Sequence, residues 1–390
     1  MTSTTSSYRI TSVDILRGLV MIIMALDHTR DFFHTTAMTA DPLDPATTTT
    51  ALYFTRWVTH FCAPVFVFLS GLSAYLSSRN KTRNEASVFV IKRGLWLIIA
   101  EITLVTFGLT FNPLFNFIIL QVIWAIGCSM VVLGLLMRGS YYIVLLAGIA
   151  LFFTHNILDY MSLPASGAAG NLWAILLTSR GMVIPLDSKH FIGVFYAILP
   201  WTGVMLLGYS IGAWFEKSFP AEKRKRLLLI SGSLMIIVFI LLRYFRGYGD
   251  PGAWDGSSLL SFLNTNKYPP SLQFCCMTLG PALILMSLME NVQAGWSKLV
   301  SVYGRVPFFY YIFHFYLIHG LLVIVFFATG HGSADINDPG SLFLFRPANF
   351  GYNLWIVYAI WISIVAVLYF PCRWFYRYKK RHSKWWLIYV

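Results

Sequence analysis

Long apolar runs recur from one end of the chain to the other, and they limit its fold more than any other feature. A run of roughly 18 or more apolar residues can cross the hydrocarbon core of a bilayer as a helix. Of the 390 residues, 57% are hydrophobic and only 12% are charged, which leaves too little charged surface for a soluble chain of this size. The sequence therefore predicts an all-α, polytopic membrane helix bundle that forms a single domain over residues 1–390.

About ten transmembrane helices are predicted. Their approximate bounds are 12–33, 56–77, 89–110, 115–137, 141–162, 190–215, 227–246, 273–290, 306–328 and 353–375. Lys and Arg collect between spans two and three, four and five, six and seven, and eight and nine, and in the aromatic tail at 376–390. Because basic loops stay in the cytoplasm, an even number of spans places both termini there. Residues 1–11 lack the features of a cleaved signal peptide and are interpreted as a cytoplasmic tail.

The net charge of +13 does not indicate a nucleic-acid partner, because the basic residues lie beside the apolar runs as topology signals do. The five cysteines have no metal-ligand spacing, so neither a metal site nor a disulfide framework is predicted. The lipid bilayer is the expected partner, and the sequence leaves a homo-oligomer open. The short chain without targeting features favours a bacterial inner membrane.

The first predicted span contains an unusual set of ionisable residues, and such residues inside a span are functional candidates by default. Arg17 and His28 lie about 16 Å apart along a helix axis, and eleven steps of about 100° place them on nearly the same face. Asp14 precedes Arg17 by three residues and can pair with it, and Asp31 follows His28 by three residues and can orient its ring. Asp27 is expected to point elsewhere.

An arginine, ten residues of any type and then a histidine form the pattern from Arg17 to His28. This pattern resembles that of the acyltransferase-3 family of membrane acyltransferases. The surrounding segment 12–18 resembles the opening of the heparan-alpha-glucosaminide N-acetyltransferase family and its bacterial relatives of unknown function. Segments 61–71 and 304–311 continue that likeness. The chain departs from these families at two positions. Thr50 aligns with the essential histidine of the lysosomal members, and His28 stands where relatives commonly have Asn.

The resemblance implies transfer of an acyl group, often acetyl, from coenzyme A across the membrane to a sugar hydroxyl or amine. Acyl-CoA would then be the co-substrate and a glycan or glycoconjugate the acceptor. It also implies that Arg17, with Asp14, lies on the coenzyme side and that His28 is the essential histidine. A guanidinium group suits phosphate binding, and an imidazole can act as a base or carry the acyl group itself.

The remaining polar residues give weaker candidates for the acceptor side. Besides the catalytic candidates His28 and Asp31, the predicted substrate-binding residues are Asp27, His60 and His314. His60 opens the second span level with His28, and His314 lies near the middle of the ninth. A packed structural role is the alternative for His28, and a solvated position at the membrane interface is the alternative for His60.

A membrane transporter is the competing class. The buried carboxyl group of Glu101, with the Asp and His residues, would then form a proton or substrate path. That reading predicts helices broken at the midplane and two alternative accesses, whereas an enzyme predicts one Arg17–His28 face reachable from both sides.

Overall fold

The computed structural model describes residues 10–164, 166–179, 181–338 and 341–389. The predicted tail at 1–11 therefore lies almost wholly outside the described residues, and α1 begins at Thr11. Of the C-terminal tail at 376–390, the first residues continue the last helix and Val390 is not described.

Most of the described chain is helical. In the first half the α-helices are α1 (Thr11–Phe33), α2 (Thr50–Thr59), α3 (Cys62–Ser78), α4 (Arg83–Ala100), α5 (Thr106–Thr110), α6 (Val122–Leu136), α7 (Tyr141–Thr154) and α8 (Gly167–Trp173). In the second half they are α9 (Ile198–Ser210), α10 (Ala221–Tyr244), α11 (Leu259–Leu263), α12 (Leu272–Leu288), α13 (Gly295–Arg305), α14 (Pro307–Ala328) and α15 (Leu354–Arg381). Two π-helical turns, Glu101–Val105 and Ala174–Thr178, follow α4 and α8.

Six helical segments within the described residues are long and apolar enough to cross a membrane. They are Thr50–Ser78, Tyr141–Tyr160, Ile198–Phe215, Ala221–Tyr244, Pro307–Ala328 and Leu354–Arg381. This number is smaller than the ten predicted spans. Helices α6 and α12 are apolar but shorter, and α1 and α4 each carry several charged side chains. The mostly helical membrane architecture is confirmed.

A small sheet departs from the all-α prediction. Strands β1 (Phe117–Leu120), β2 (Met182–Pro185) and β3 (Phe191–Val194) pair in the order β1-β3-β2. The β1–β3 pairing is parallel, with Phe117 opposite Phe191, and β2 is antiparallel to β3. The predicted spans 115–137 and 190–215 were therefore wrong at their first residues. A short apolar run has no periodicity that separates a strand from a buried helix.

Helix α1 lies inside the bundle and contacts α2, α3, α12, α13, α14 and α15. Its closest neighbour is α13, because two glycines let the backbones touch. A Cβ atom at Gly304 would lie 1.9 Å from the carbonyl oxygen of Asp14, and one at Gly18 would lie 2.2 Å from that of Val300. Small residues at such positions are typical of tight helix packing in membranes. This contact fixes the first turns of α1, where Asp14 and Arg17 lie.

Basic residues collect at one end of the bundle, which we call the basic end. It contains the first turns of α1, the end of α3 and the end of α13. The opposite end contains the last turn of α1 and the long connections at 34–49 and 247–271, and we call it the loop end.

Candidate functional site

Arg17 is held at the basic end by three neighbouring elements. Its Nη1 donates to the carbonyl oxygen of Gly304 at 3.1 Å, and its Nη2 donates to Ser73 Oγ at 2.7 Å. The carboxylate of Asp14 lies 3.7 Å from Arg17 Nη1 and 3.4 Å from Arg305 Nε. Asp14 thus bridges two guanidinium groups, one from α1 and one from the end of α13.

A cavity of about 440 Å³ opens beside these groups, and we call it the basic-end cavity. Its described lining contains one carboxylate, Asp14, and the cations Arg17, Arg79, Arg93, Arg305 and Lys379. The hydroxyl groups of Ser70, Ser73 and Ser77 add further hydrogen-bonding capacity. Such an excess of positive charge in a concave, low-dielectric site attracts a polyanion. The guanidinium groups suit phosphate oxygens in particular, so the residues fit the phosphate groups of coenzyme A.

His28 lies farther along the same helix, toward the loop end. Its ring centroid is 4.5 Å from that of Phe315 and 5.2 Å from that of His314. Its Nδ1 is 3.8 Å from Asp31 Oδ2, so the carboxylate lies beside the ring. Two predicted residues, Asp31 and His314, are therefore next to His28 in the fold.

His314 is oriented by the backbone of its own helix. Its Nδ1 lies 2.5 Å from the carbonyl oxygen of Tyr311. A carbonyl can only accept, so this contact requires the proton on Nδ1. The other ring nitrogen, Nε2, is buried and has no hydrogen-bond partner among the described residues. In its neutral form it is an acceptor close to the ring of His28.

Asp27 belongs to a chain of alternating charges next to His28. Arg56, on α2, donates from Nη1 to Asp27 Oδ2. Arg30 Nη2 is 3.3 Å from Asp27 Oδ1 and 2.5 Å from Asp31 Oδ1. Asp27, Arg30 and Arg56 are largely buried, so their mutual pairing offsets the cost of removing each charge from water.

A second cavity, of about 460 Å³, opens at the loop end and is lined by His28, Asp27, Asp31 and Arg56. We call it the loop-end cavity. Across from α1 its wall is formed by Tyr196, Lys267 and Tyr268. Lys267 Nζ lies 5.1 Å from the ring centroid of Tyr268 and 6.0 Å from that of Tyr196, distances at which a cation is attracted to an aromatic face. The cavity lining thus combines charged groups with aromatic rings.

The two cavities are adjacent inside the bundle. Phe66 of α3 and Val122 of α6 line both of them. Arg17 lines one cavity and His28 the other, and both project from the same helix. The two cavities therefore lie in series along α1, the first toward the basic end and the second toward the loop end, with Phe66 and Val122 between them.

His60 and Glu101 lie apart from these cavity walls. His60 is buried at the break between α2 and α3, where its ring packs edge-on against Phe274 at 5.4 Å. Its Nδ1 has no partner within the described part of the chain. Glu101 is buried in a π-helical turn and accepts a 2.8 Å hydrogen bond from the backbone N–H of Gln121, just before α6.

Three residues of the loop-end cavity were not predicted from the sequence, namely Arg56, Lys267 and Tyr268. Arg56 precedes His60 by four residues, and this helical spacing is the one signal that could have marked it. Lys267 and Tyr268 come from a long connection between α11 and α12, and no spacing in the sequence places such a segment beside α1.

Within the described residues, no group of three or more His, Cys, Asp or Glu side chains is arranged to hold a metal ion.

These features define an integral membrane protein with two polar cavities inside its helical bundle and an apolar layer between them. A scan against protein families matches residues 9–243 to the family described as heparan-alpha-glucosaminide N-acetyltransferase, catalytic. The match covers more than half of the chain, so the protein belongs to this family of membrane acetyltransferases. The resemblance of segment 12–18 and of the later segments to this family is thereby confirmed. A search of the curated proteins finds no match. Arg305, His314 and Lys267 lie beyond the matched segment.

Proposed function

We propose that this protein transfers an acyl group, acetyl in the first instance, from coenzyme A at the basic end to an acceptor at the loop end. One observation carries the proposal: two cavities share Phe66 and Val122, with Arg17 in one and His28 in the other. The basic end then faces the cytoplasm, with ten spans and both termini on that side. A bacterial inner membrane is the proposed location.

In this proposal the basic-end cavity binds the donor. Arg17, with Arg93 and Arg305, contacts the phosphate groups through paired N–H donors. Asp14 keeps two of these guanidinium groups in place through its contacts at 3.7 Å and 3.4 Å. The thioester end then lies toward Phe66, where the cavity wall changes from charged to apolar.

His28 acts as the base on the other side of Phe66 and Val122. It takes the proton of the acceptor hydroxyl or amine while the acyl carbon exchanges its bond to sulfur for a bond to oxygen or nitrogen. The proton is then passed to the sulfur, so that coenzyme A leaves as the free thiol. Asp31 stabilises the protonated ring from 3.8 Å. If the ring carries the acyl group instead, labelled donor alone will leave label on the protein.

The loop-end cavity is the proposed acceptor site. A glycan or glycoconjugate acceptor is favoured by the family. A sugar has both apolar and hydroxyl surfaces, and the cavity lining offers the rings of Tyr196 and Tyr268 beside charged groups. Asp27 is proposed as a direct acceptor contact. A role for His314 or His60 in acceptor binding stays a prediction.

The test supplies purified protein with radiolabelled acetyl-CoA and membrane glycan fractions. Wild type is expected to consume thioester and label the glycan fraction. His28→Ala should lower turnover by about 10²-fold or more while still binding coenzyme A, and Arg17→Ala should mainly raise the KM for the donor. Label transfer unaffected by His28→Ala would remove the proposed base. A protein that neither binds nor consumes the thioester would instead favour transport.

A further inference from the structure

The layer between the two cavities is made of apolar side chains, whereas charged side chains line the cavities on either side of it. Phe66 and Val122 line both cavities, Met21 lines only the basic-end cavity, and Met24 lines only the loop-end cavity. These four side chains come from three helices and lie between Arg17 and His28 along α1. An acyl group that reaches His28 from the basic end must pass through this layer.

Helix α3 presents one continuous face to the two cavities. Cys62 and Ala63 line the loop-end cavity, Phe66 lines both, and Ser70 and Ser73 line the basic-end cavity. Their spacing of three and four residues puts them on the same side of the helix. Phe66 is the side chain of this row that lines both cavities, and it is 9% exposed. Its ring therefore fills part of the layer between the two cavities.

From this arrangement we propose that Phe66, together with Val122, limits the length of the acyl group that the protein transfers. The inference rests on the proposed acyl transfer and adds the residues that would restrict it to acetyl and other very short acyl groups. A longer chain must occupy volume that the Phe66 ring already fills. Close packing makes such overlap costly, and one methylene group in a closed apolar pocket changes selectivity by about 10-fold to 200-fold.

The test compares acetyl, butyryl and octanoyl donors on wild type, Phe66→Ala and Phe66→Leu. Wild type should prefer acetyl, and Phe66→Ala should raise the octanoyl-to-acetyl ratio of kcat/KM by about tenfold or more, with Phe66→Leu in between. The control is Phe68→Ala. Phe68 is 5% exposed on the same helix but lies about 200° around it, so its loss should leave the ratio unchanged.

A binding measurement gives a readout independent of turnover. S-ethyl and S-octyl thioethers of coenzyme A cannot be cleaved as donors, and their affinities are measured on the same variants. Phe66→Ala should improve the relative affinity for the S-octyl compound by about tenfold or more, and Phe68→Ala should not. If Phe66→Ala fails to fold, Phe66→Leu provides the comparison, since it removes less volume.

The outcomes separate this inference from the function on which it rests. Thioester consumption with the same length preference in wild type and the Phe66 variants overturns the role of Phe66 and leaves acyl transfer standing. An equal shift in Phe68→Ala also overturns it. Absence of both thioether binding and thioester consumption in wild type overturns the proposed function, and the inference with it.

Discussion

Replacing Gly304 by Ala tests whether the contact between α1 and α13 holds the donor side of the site together. The new Cβ would lie 1.9 Å from the carbonyl oxygen of Asp14, whereas ordinary van der Waals contact begins at 3.4 Å. The helices must therefore separate by about 1.5 Å, the difference between these distances. Both nearest atoms belong to the backbone of α1, so no side-chain rotation relieves the overlap.

The expected cost follows from that displacement. Overpacking a close contact lowers the free energy of unfolding by about 1–3 kcal/mol, and we expect the upper part of this range. The hydrogen bond from Arg17 Nη1 to the carbonyl oxygen of Gly304 is 3.1 Å long and would be stretched or broken. Donor affinity should therefore fall together with stability, by roughly tenfold if about 1.4 kcal/mol of binding free energy is lost.

Gly320→Ala is the matched control. Gly320 also lies within a helix of the bundle, α14, but a Cβ there meets nothing within 4 Å. Its substitution should stabilise the protein by about 0.5–1 kcal/mol, because alanine loses less backbone entropy than glycine in a helix. Both variants are compared by equilibrium unfolding in detergent and by titration with coenzyme A. A Gly304→Ala variant as stable as Gly320→Ala would refute the close contact.

Three further predictions concern the loop end. Asp27→Asn and Arg56→Gln should each lower the free energy of unfolding by about 3 kcal/mol, because breaking a buried ion pair leaves one charge uncompensated. The double variant should lose much less than the sum of the two. Additive losses would contradict the pairing of Asp27 with Arg56. Arg243 donates to four backbone carbonyl groups, so Arg243→Ala should speed proteolysis within residues 247–271, and an unchanged digestion pattern would count against that clamp. Burial, with nearby guanidinium groups, lowers the pKa of His34, and its Nδ1 accepts from the backbone N–H of Thr36 at 3.3 Å. Because the folded state disfavours the charged ring, stability should fall as pH drops below about 6.5, and the melting temperature of His34→Gln should fall less steeply over that range.

The sequence predicted best those features that one helix contains. The predicted span 12–33 and the observed α1, Thr11–Phe33, differ by one residue, because an apolar run fixes the helix and its charged residues mark both ends. The common face of Arg17 and His28 follows from helical periodicity alone. Their placement in two separate cavities agrees with that periodicity.

Features that depend on distant segments were not predictable in the same way. Strand β1 pairs with β3, which lies far along the chain, and neither apolar segment differs in composition from a membrane helix. Arg56 and Lys267 reach the loop-end cavity from α2 and from the connection before α12. Their approach depends on how helices pack against α1. Charge counts along the sequence assign them a side of the membrane but not a position beside His28.

The same geometry suggests how a site can serve both faces of a membrane without an open pore. The hydrocarbon core is about 30 Å thick, whereas Arg17 and His28 lie only about 16 Å apart along α1. Two polar cavities thus thin the barrier, and the apolar layer at Phe66 and Val122 keeps them apart. An ion that enters such a layer loses its hydration shell, and a water molecule loses its hydrogen bonds, whereas a short acyl group has little hydration to lose. Selectivity for the acyl group and resistance to leakage would therefore come from the same side chains.

Removing the ring with Phe66→Ala should increase the proton permeability of proteoliposomes, together with the acceptance of longer acyl groups, because both depend on the same apolar layer. Phe68→Ala should change neither property. Acceptance of longer acyl groups without any added proton leak would separate the two roles.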